Sequence, residues 1–196
     1  MSNPLDQLRD NHSDFSRNQE AFHFTDPFLA FETWFNLAVS SGEKEANAMV
    51  ISTVNEAMKP SSRVVYLKEI ANQQFVFYTN YLSHKGKDLS QNPNASLLFF
   101  WPGLERQIRI EGTVNKISET ESDAYFASRP RDSQLGAWAS PQSEVISGRE
   151  VLDARHTEYS EKFAGAEVPR PPHWGGWLLI PDVFEFWQGR PNRLHD

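Results

Sequence analysis

One short segment, YFASRPRDSQLGAWASPQS at residues 125–143, concentrates the residue types that bind phosphate. Tyr125, Arg129 and Ser133 follow one another at intervals of four residues, and Arg131 adds a second guanidinium group. These side chains all donate hydrogen bonds, and a guanidinium group can bind two phosphate oxygens at once. The residue types alone fit two interpretations: a phosphate site, or a helix pair whose arginines contact surface carboxylates.

Two short helices are predicted to position these groups. The first spans residues 119–128 and ends before Pro130, because proline disfavours the α conformation of the residue that precedes it. Asp132 or Ser133 is expected to cap the second, over residues 134–139. An anion beside Ser133 would then meet a helix N-terminus, whose dipole favours negative charge.

A second basic site follows the sequence FYTN at residues 77–80. Ser83 is a predicted helix cap, and Lys85 falls in the first turn of that helix, which is predicted over residues 84–91. A lysine in this position is unfavourable with respect to the helix dipole unless an anion is also present. The alternative is a solvated lysine pair, Lys85 with Lys87.

Other polar residues are candidates by type alone. Arg63 and Lys68 lie five apart on one predicted strand and are expected to point to opposite faces. Arg193 and His195 alternate on the terminal segment and would share a face. Some uncharged side chains could contact a heterocyclic ligand: Gln107, Gln142, Ser143 and Trp187. Such residues are more often surface or core residues.

The composition argues against several classes of protein. The chain of 196 residues contains no cysteine, so it has no disulfide, no cysteine-ligated metal and no thiol nucleophile. Its net charge of −7 argues against bulk binding to nucleic acid or to an anionic membrane. Scattered histidines and the lack of GxSxG, Walker and GxGxxG patterns argue against a metal site and against those enzyme classes. No membrane span or signal peptide is recognised, and a cytoplasmic location is expected.

The hydrophobic pattern predicts consecutive strands with flanking helices. Strands are predicted over residues 48–54, 62–70, 73–80, 95–101 and 106–117, with two more on either side of Pro181. The runs 62–70 and 73–80 are separated by a short turn and are predicted to form a hairpin. This order favours a mainly β, α+β fold: a small antiparallel barrel with helices around it.

Two longer helices complete the predicted elements. The first spans residues 27–41 and follows Asp26, which is expected to cap it. The second opens at a capping box from Ser147 to Glu150 and runs to about Phe163.

Eight ordered motifs resemble those of the pyridoxamine 5′-phosphate oxidases. They are RVVYLK at 63–68, FYTN at 77–80, SHK at 83–85, LERQ at 104–107, YFASRPRDSQLGAW at 125–138, QS at 142–143, WGG at 174–176 and EFWQGRPNRLHD at 185–196. Together they cover nearly the whole chain from about residue 28. The resemblance implies an FMN-binding split β-barrel, antiparallel and Greek-key-like with flanking helices, in a homodimer that holds FMN at the subunit interface.

The resemblance also implies which residues meet the ligands. The implied FMN contacts are Arg63, Val64, Val65, Tyr66, Leu67, Lys68, Tyr78, Thr79, His84, Lys85, Gln107, Gln142, Ser143 and Trp187. The implied contacts of the substrate phosphate are Lys68, Tyr125, Arg129 and Ser133. Arg193 and His195 are implied to close over the pyridine ring as substrate-binding and catalytic residues, and no metal is implied. Arg131 receives no ligand and is expected to form a structural ion pair.

The implied reaction is the FMN-dependent oxidation of pyridoxamine or pyridoxine 5′-phosphate to pyridoxal 5′-phosphate, with O₂ as the electron acceptor. Hydride transfer from the substrate C4′ carbon to flavin N5 needs orientation more than a nucleophile, which fits these residue types. Two alternatives stay open. One is a related FMN-dependent oxidase of the phenazine-biosynthesis type, and the other is a non-catalytic protein that binds FMN or pyridoxal phosphate.

Two positions depart from the family pattern. His84 stands where many members carry arginine, and this is expected to weaken one FMN phosphate contact or to make it pH-dependent. The sequence ends at Asp196. In the family pattern, an arginine that contacts FMN and a last strand follow this position, so that strand is expected to be missing. Residues 1–25 are expected to be a mobile arm that folds over the substrate, and residues 26–196 a single domain.

Overall fold

A computed structural model describes Phe15 and residues 23–196. The chain divides into two units. The first combines the segment that ends at Ala46 with Leu98–Arg109 and Phe184–Asp196, and the second combines Asn47–Leu97 with Ile110–Val183. The predicted N-terminal arm, residues 1–25, lies almost wholly outside the described residues.

Five α-helices and seven β-strands are present in this described part of the chain. The helices are α1 (Pro27–Ser40), α2 (His84–Gln91), α3 (Glu119–Ser128), α4 (Arg131–Ala139) and α5 (Arg149–Lys162). The strands are β1 (Ala48–Val54), β2 (Pro60–Tyr66), β3 (Glu69–Ala71), β4 (Gln74–Asn80), β5 (Asn94–Trp101), β6 (Arg106–Lys116) and β7 (Trp174–Gln188). None of these helices has the length and apolar character that crossing a lipid bilayer requires.

The second unit is built on one sheet to which all seven strands contribute residues, in the order β2-β1-β5-β6-β7-β4-β3. β1 pairs with β2 in antiparallel orientation, with Ala48 opposite Tyr66, and the pairs β3–β4 and β4–β7 are antiparallel as well. Within β6, Ile110 and Val114 are buried and Thr113 is exposed. This alternation matches the two faces predicted for the strand.

The hairpin predicted for residues 62–70 and 73–80 is confirmed only next to its turn, where residues 69–71 pair with residues 74–76. The first run is divided into β2, which pairs with β1, and β3, which pairs with β4. Asn72 and Gln73 form the β3–β4 turn with φ of 50° and 61°, as the favoured two-residue hairpin turn requires. Lys68 lies between the two strands, so strand alternation does not extend to it.

The two strands predicted on either side of Pro181 are a single strand, β7, of 15 residues. The prediction divided the run at Pro181, but proline removes only the one hydrogen bond that its missing N–H would donate to the sheet. The backbone approaches closely here, because a Cβ at Gly112 would lie 2.1 Å from the carbonyl oxygen of Ile180. A glycine inside a strand commonly marks such an approach.

The first unit packs its apolar residues around α1. Asp26 caps this helix, as predicted, by accepting hydrogen bonds from its first backbone N–H groups. The Phe31 ring lies 5.1 Å from that of Phe99, and the Trp34 ring lies 5.4 Å from that of Phe186, both edge to face. Edge-to-face pairs of this kind add to the burial of apolar area.

Two predicted helix starts are displaced. α4 begins at Arg131 with Pro130 as its N-cap residue, so Ser133 lies inside the first turn rather than capping the helix. Proline suits the start of a helix, since its fixed φ is already helical and it has no N–H to leave unpaired. α5 begins after Gly148, which makes no side-chain cap bond, so the predicted capping box from Ser147 to Glu150 is wrong.

Candidate active site

A cavity of about 820 Å³ lies in the second unit, with walls from β2, β4, α2, α3 and α4. Its volume is in the range of small-molecule sites. Four cationic side chains line it, and no described Asp or Glu does; the cations are Arg63, Lys68, Lys85 and Arg129. Because the whole chain carries a charge of −7, this cavity is a local concentration of positive charge that favours an anionic ligand.

Most of the predicted site residues line this cavity. From the implied FMN set they are Arg63, Val64, Val65, Tyr66, Lys68, Tyr78, Thr79, Lys85, Gln142 and Ser143, and from the implied substrate-phosphate set Lys68, Tyr125, Arg129 and Ser133. Leu67, which is buried, and His84, which is exposed, are not among the lining residues. The lining also includes residues that were not predicted: Asn80, Pro130, Gly136, Ala137, Ser140 and Trp174.

Arg63 and Lys68 both line the cavity, although opposite faces were predicted for them. The expectation is wrong because β2 ends at Tyr66, so the two-residue alternation of a strand does not reach Lys68. The backbone N–H of Lys68 donates to the carbonyl oxygen of Val76 at 2.9 Å, which fixes the chain at this point.

Lys85 is a buried cation whose hydrogen-bond partners are neutral. Only 6% of it is exposed. Its Nζ donates to Thr79 Oγ1 at 2.9 Å, Gln142 Oε1 at 3.1 Å and Ser83 Oγ at 3.3 Å. Burial, and next the nearby charge of Arg63, lowers the pKa of Lys85 to about 8. A buried ammonium group of this kind is stabilised when an anion binds beside it.

Ser83 places Lys85 at the cavity. Its Oγ accepts a hydrogen bond from the backbone N–H of Gly86 at 3.3 Å, as predicted for a helix cap, and donates to the carbonyl oxygen of Asn80 at 2.7 Å. Gly86 lets the first turn of α2 approach the end of β4, since a Cβ there would lie 2.3 Å from the carbonyl oxygen of Tyr81. The sequence Ser-x-x-Gly therefore holds the lysine where strand and helix meet.

Arg63 is held by two hydroxyl groups. Its Nη1 donates to Thr53 Oγ1 at 2.7 Å, and its Nη2 donates to Ser61 Oγ. The carboxylate of Asp88 lies 4.0 Å from the guanidinium group. Burial lowers the pKa of Arg63, and the charge of Asp88 raises it in part. Arg63 is charged throughout the physiological range all the same, since the ordinary pKa of arginine lies far above that range.

Arg129 carries an unsatisfied donor. Its guanidinium carbon lies 4.6 Å from the centre of the Trp174 ring, a cation–π contact. Its Nη1 is buried and has no hydrogen-bond partner among the described residues. Burial lowers the pKa of Arg129, and the neighbouring Tyr125 raises it. Buried polar groups are nearly always hydrogen-bonded, so an unpaired donor on a cation indicates a missing acceptor.

Three aromatic rings stand nearly parallel at this side of the cavity. The rings of Tyr78 and Tyr125 lie 3.8 Å apart at 14°, and those of Tyr78 and Trp174 lie 5.4 Å apart at 13°. Burial, followed by the charge of Glu69, raises the pKa of Tyr78 to about 12. Burial also raises the pKa of Tyr125. Both phenols therefore keep their protons at neutral pH and can donate hydrogen bonds.

The two arginines of the opening segment have different surroundings. Arg131 donates from Nη1 to the carbonyl oxygen of Ala166 at 2.8 Å and from Nη2 to that of Phe163 at 2.6 Å. These carbonyls follow α5, so Arg131 is structural, but its partners are backbone carbonyls and not the carboxylate that was predicted. Ser133, in the first turn of α4, lines the cavity together with Arg129.

The remaining predicted residues, Gln107, Trp187, Arg193 and His195, belong to the first unit. The rings of Trp187 and His195 are 4.8 Å apart, and Phe15 contacts both, at 5.6 and 5.4 Å. The backbone N–H of Arg190 donates to Nδ1 of His195 at 3.0 Å. A neutral His195 therefore carries its proton on Nε2, where it can donate.

Asp196 closes the loop that carries Arg193 and His195. Its backbone exchanges two hydrogen bonds with Gln188, at 3.0 and 3.2 Å. Its Oδ2 accepts from Nε of Arg190 at 2.6 Å and from Nε2 of Gln188 at 3.3 Å. Arg193 has a φ of 60°, which is uncommon for a residue with a side chain and is maintained here by the closed loop.

Solved structures with this fold include flavin-binding proteins. A pyridoxamine 5′-phosphate oxidase-related, FMN-binding protein from Nostoc punctiforme superposes with a TM-score of 0.67 at 18% identity, over 86% of this chain and 89% of that one. PhzG from Burkholderia lata, solved with tetrahydrophenazine-1-carboxylic acid, gives a TM-score of 0.82 at 30% identity, over 88% and 84%. The fold is that of the FMN-binding split barrel, which confirms the predicted fold class.

The family follows from the sequence comparisons. Residues 38–163 match the family model described as pyridoxamine 5′-phosphate oxidase. Residues 174–196 match the pyridoxine 5′-phosphate oxidase C-terminal dimerisation region, which indicates a homodimer. The chain therefore belongs to the pyridoxamine 5′-phosphate oxidase family.

Similar proteins of known name agree with this assignment. A relative from Microcystis aeruginosa is 61% identical over 87% of this chain and 80% of its own length. Another, from Gloeothece citriformis, is 53% identical over 100% of this chain and 91% of its own length. Both are named pyridoxine/pyridoxamine 5′-phosphate oxidase.

Proposed function

We propose that this protein oxidises pyridoxamine 5′-phosphate and pyridoxine 5′-phosphate to pyridoxal 5′-phosphate, with FMN as cofactor and O₂ as electron acceptor. The observation that carries the proposal is the cavity lined by four cations and by no described carboxylate. Its cationic groups fall into two sets, and a phosphorylated cofactor with a phosphorylated substrate requires two anion sites. The names of relatives that are 53–61% identical support the same activity.

The groups around Lys85 suit the phosphate of FMN. Arg63 lowers the pKa of Lys85, so the two cations repel each other in the ligand-free protein. An anion bound to both would relieve that repulsion. Thr79 and Gln142, which hold the lysine side chain, supply uncharged polar groups beside it.

The groups around Arg129 suit the phosphate of the substrate. The buried Nη1 of Arg129 lacks an acceptor among the described residues, and a phosphate oxygen would provide one. Tyr125 is close enough to Arg129 to raise its pKa. Tyr125 and Ser133 line the same cavity and add neutral donors, and Lys68 adds a further cation. A substrate held by its phosphate at this position is fixed at one end, which lowers the entropic cost of reaction.

FMN, when bound, supplies the redox chemistry by accepting a hydride from the substrate C4′ carbon, and O₂ then reoxidises it. The residues of this chain supply binding and orientation. The nearly parallel rings of Tyr78, Tyr125 and Trp174 give the cavity an aromatic wall against which a ring of the ligand can pack. The family resemblance assigns Arg193 and His195 to the reacting ring of the substrate, and Nε2 of a neutral His195 would be the nitrogen that donates, because Nδ1 accepts from Arg190.

FMN lies at the interface of the homodimer in this proposal. Val64 and Tyr66 line the cavity, yet they are 61% and 43% exposed in the single chain. Exposed apolar side chains at a binding site are covered when a second subunit packs against them. The match to a dimerisation region supports this arrangement.

A related activity on the tricyclic phenazine precursors is the second candidate, because the PhzG structure is similar at a TM-score of 0.82. Two observations favour the first candidate. The identity to PhzG is 30%, against 61% to a named pyridoxine/pyridoxamine 5′-phosphate oxidase. The donors around Arg129 also suit a phosphorylated substrate better than a carboxylated tricyclic ring.

Reconstitution followed by turnover in air tests the proposal. The purified protein is titrated with FMN, and the loaded protein is then mixed with pyridoxine 5′-phosphate. We expect stoichiometric flavin binding and the formation of pyridoxal 5′-phosphate and H₂O₂ in equal amounts. FMN binding without product would refute the enzyme, and failure to bind FMN would refute any flavin-dependent function. Oxidation of a tetrahydrophenazine carboxylate alone would favour the second candidate.

A further inference from the structure

We infer that Asp88 is a positioning residue for the cofactor phosphate, acting on Arg63 through the hydroxyl groups of Thr53 and Ser61. The inference rests on the proposed function, in which Arg63 contacts the phosphate of FMN. Asp88 is outside the lining of the cavity and was not among the residues that the sequence suggested. Its effect on the ligand is therefore indirect.

The hydroxyl groups lie between the two charged groups. Asp88 is buried, with 8% exposed, and its Oδ2 lies 2.7 Å from Thr53 Oγ1 and 3.4 Å from Ser61 Oγ. Arg63 contacts the same two oxygens, from Nη1 and Nη2. Asp88 and Arg63 themselves are 4.0 Å apart, so most of the contact passes through the hydroxyls.

The direction of these hydrogen bonds depends on Asp88. An ionised carboxylate only accepts, and a guanidinium group only donates. The Thr53 hydroxyl must therefore turn its proton toward Asp88 and its lone pairs toward Arg63. Ser61 Oγ also accepts from Arg63, and it lies 3.4 Å from both Asp88 Oδ2 and Thr53 Oγ1. Thr53 is fully buried, so bulk solvent cannot take the place of either partner. Without the carboxylate, the hydroxyls lose the acceptor that holds them in this orientation.

Three elements meet at this network. Thr53 on β1 lies directly opposite Ser61 on β2, and Arg63 follows two residues later on the same face of β2. Asp88 reaches them from α2, where it lies one helical turn after Lys85. α2 therefore presents Lys85 to the cavity and places Asp88 behind Arg63. The two cations assigned to the phosphate of FMN, Lys85 and Arg63, are therefore both positioned by this helix.

This role differs from that of a carboxylate that only satisfies buried hydroxyls. A positioning residue affects the ligand group that Arg63 contacts and no other part of the ligand. Riboflavin is the matched probe, because it differs from FMN only in lacking the phosphate. A merely structural carboxylate would affect both ligands alike when it is removed.

The test measures dissociation constants for FMN and riboflavin by fluorescence titration of the full-length apoprotein. The variants are Asp88→Ala, Thr53→Val, Arg63→Ala and the double variant of Asp88 and Arg63. We expect Asp88→Ala and Thr53→Val each to weaken FMN binding by at least about fivefold and to leave riboflavin binding within about twofold. In the Arg63→Ala background, Asp88→Ala should have no further effect on FMN.

One control and one alternative variant make the result decisive. Asp153→Ala removes a carboxylate from an exposed ion pair with Arg149 and should change neither constant. Thr53→Val keeps the shape of the side chain, so it still tests the inference if Asp88→Ala does not fold. Thermal melting of each apoprotein shows which variants fold.

The outcomes that would refute the positioning role differ from those that would refute the proposed function. Equal losses for FMN and riboflavin, or a full additional loss from Asp88→Ala in the Arg63→Ala background, would overturn the positioning role. An Arg63→Ala variant that binds FMN normally would instead refute the contact between Arg63 and the phosphate, which belongs to the proposed function.

Discussion

Lys85 and Gln142 meet in the cavity, with Nζ donating to Oε1 at 3.1 Å across 57 residues of sequence. Thr79 joins them, because its Oγ1 accepts from Lys85 at 2.9 Å and donates to Gln142 at 3.2 Å. The ammonium group is thus held in place by neutral groups. Its positive charge is left for a ligand.

Replacing Lys85 by methionine should weaken FMN binding by roughly 10- to 100-fold, the effect of one charge-assisted hydrogen bond. The apoprotein should melt at the same temperature or higher, because a desolvated charge has been removed. Fluorescence titration and thermal melting measure the two effects. Lys87→Met is the matched control, since Lys87 is exposed on the same helix. Equal FMN affinities for the two variants would contradict the role of Lys85.

FMN affinity should fall as the pH rises above about 8. Burial lowers the pKa of Lys85 to about 8, so the ligand-free protein loses this positive charge above that pH, and a phosphate dianion then has to recover the proton. Titrations between pH 7 and 9.5 should show the decline in the wild type and a much flatter profile in Lys85→Met. Two parallel profiles would assign the dependence to another group.

The lowered pKa of Lys85 also predicts how the stability of the apoprotein changes with pH. Between pH 8 and the ordinary lysine value of 10.5, the unfolded chain binds more protons at Lys85 than the folded chain does. The contribution of this residue to stability therefore rises with pH across that window. Denaturant unfolding of the wild type and Lys85→Met should show their difference in unfolding free energy narrowing as the pH increases. A constant difference would show that the lysine is not desolvated.

Arg129 and Arg131 should respond differently to substitution by alanine. Arg129→Ala removes the guanidinium donor that has no partner in the described part of the chain, and it should raise KM for the phosphorylated substrate by an amount that corresponds to roughly 1.5–3 kcal/mol. Arg131→Ala removes two bonds to backbone carbonyls and should lower the melting temperature with little effect on KM. Steady-state kinetics and thermal melting separate the two. An unchanged KM in Arg129→Ala would remove it from the phosphate site.

His84→Ala should leave FMN affinity within about twofold of the wild type, as surface substitutions usually do. His84 is exposed and does not line the cavity, whereas its position in the motif suggested a phosphate contact. FMN titration at pH 6 and pH 8 checks both the affinity and its pH dependence. A tenfold loss that appears only at the lower pH would restore the contact by a protonated imidazole.

Local signals made several elements predictable. Asp26 and Ser83 cap their helices as expected, because capping depends on a side chain and the two or three residues that follow it. The break between β2 and β3 was missed, since the run of β-branched residues continues up to it and the pairing is decided by β1. Which strands pair cannot be predicted from a local sequence pattern when the partners are distant in sequence.

Long-range contacts in the candidate site could likewise not be predicted from the sequence. Residue types in the opening segment left a phosphate site and a surface ion pair equally possible. Trp174 lies 45 residues beyond Arg129 and carries no signal that it would stack on that guanidinium group. Nη1 of Arg129, which has no partner among residues 23–196, favours the phosphate interpretation, and this follows only from the packing of the surrounding side chains. The assignment of individual site residues stays a prediction.

Anaerobic mixing of the FMN-loaded protein with pyridoxamine 5′-phosphate tests the central claim most directly, because it observes the transfer of electrons from substrate to cofactor without O₂. We expect the flavin absorbance to bleach, with one pyridoxal 5′-phosphate formed for each flavin, and unphosphorylated pyridoxamine to react far more slowly. A flavin that stays oxidised in the presence of saturating pyridoxamine 5′-phosphate would contradict the proposed function.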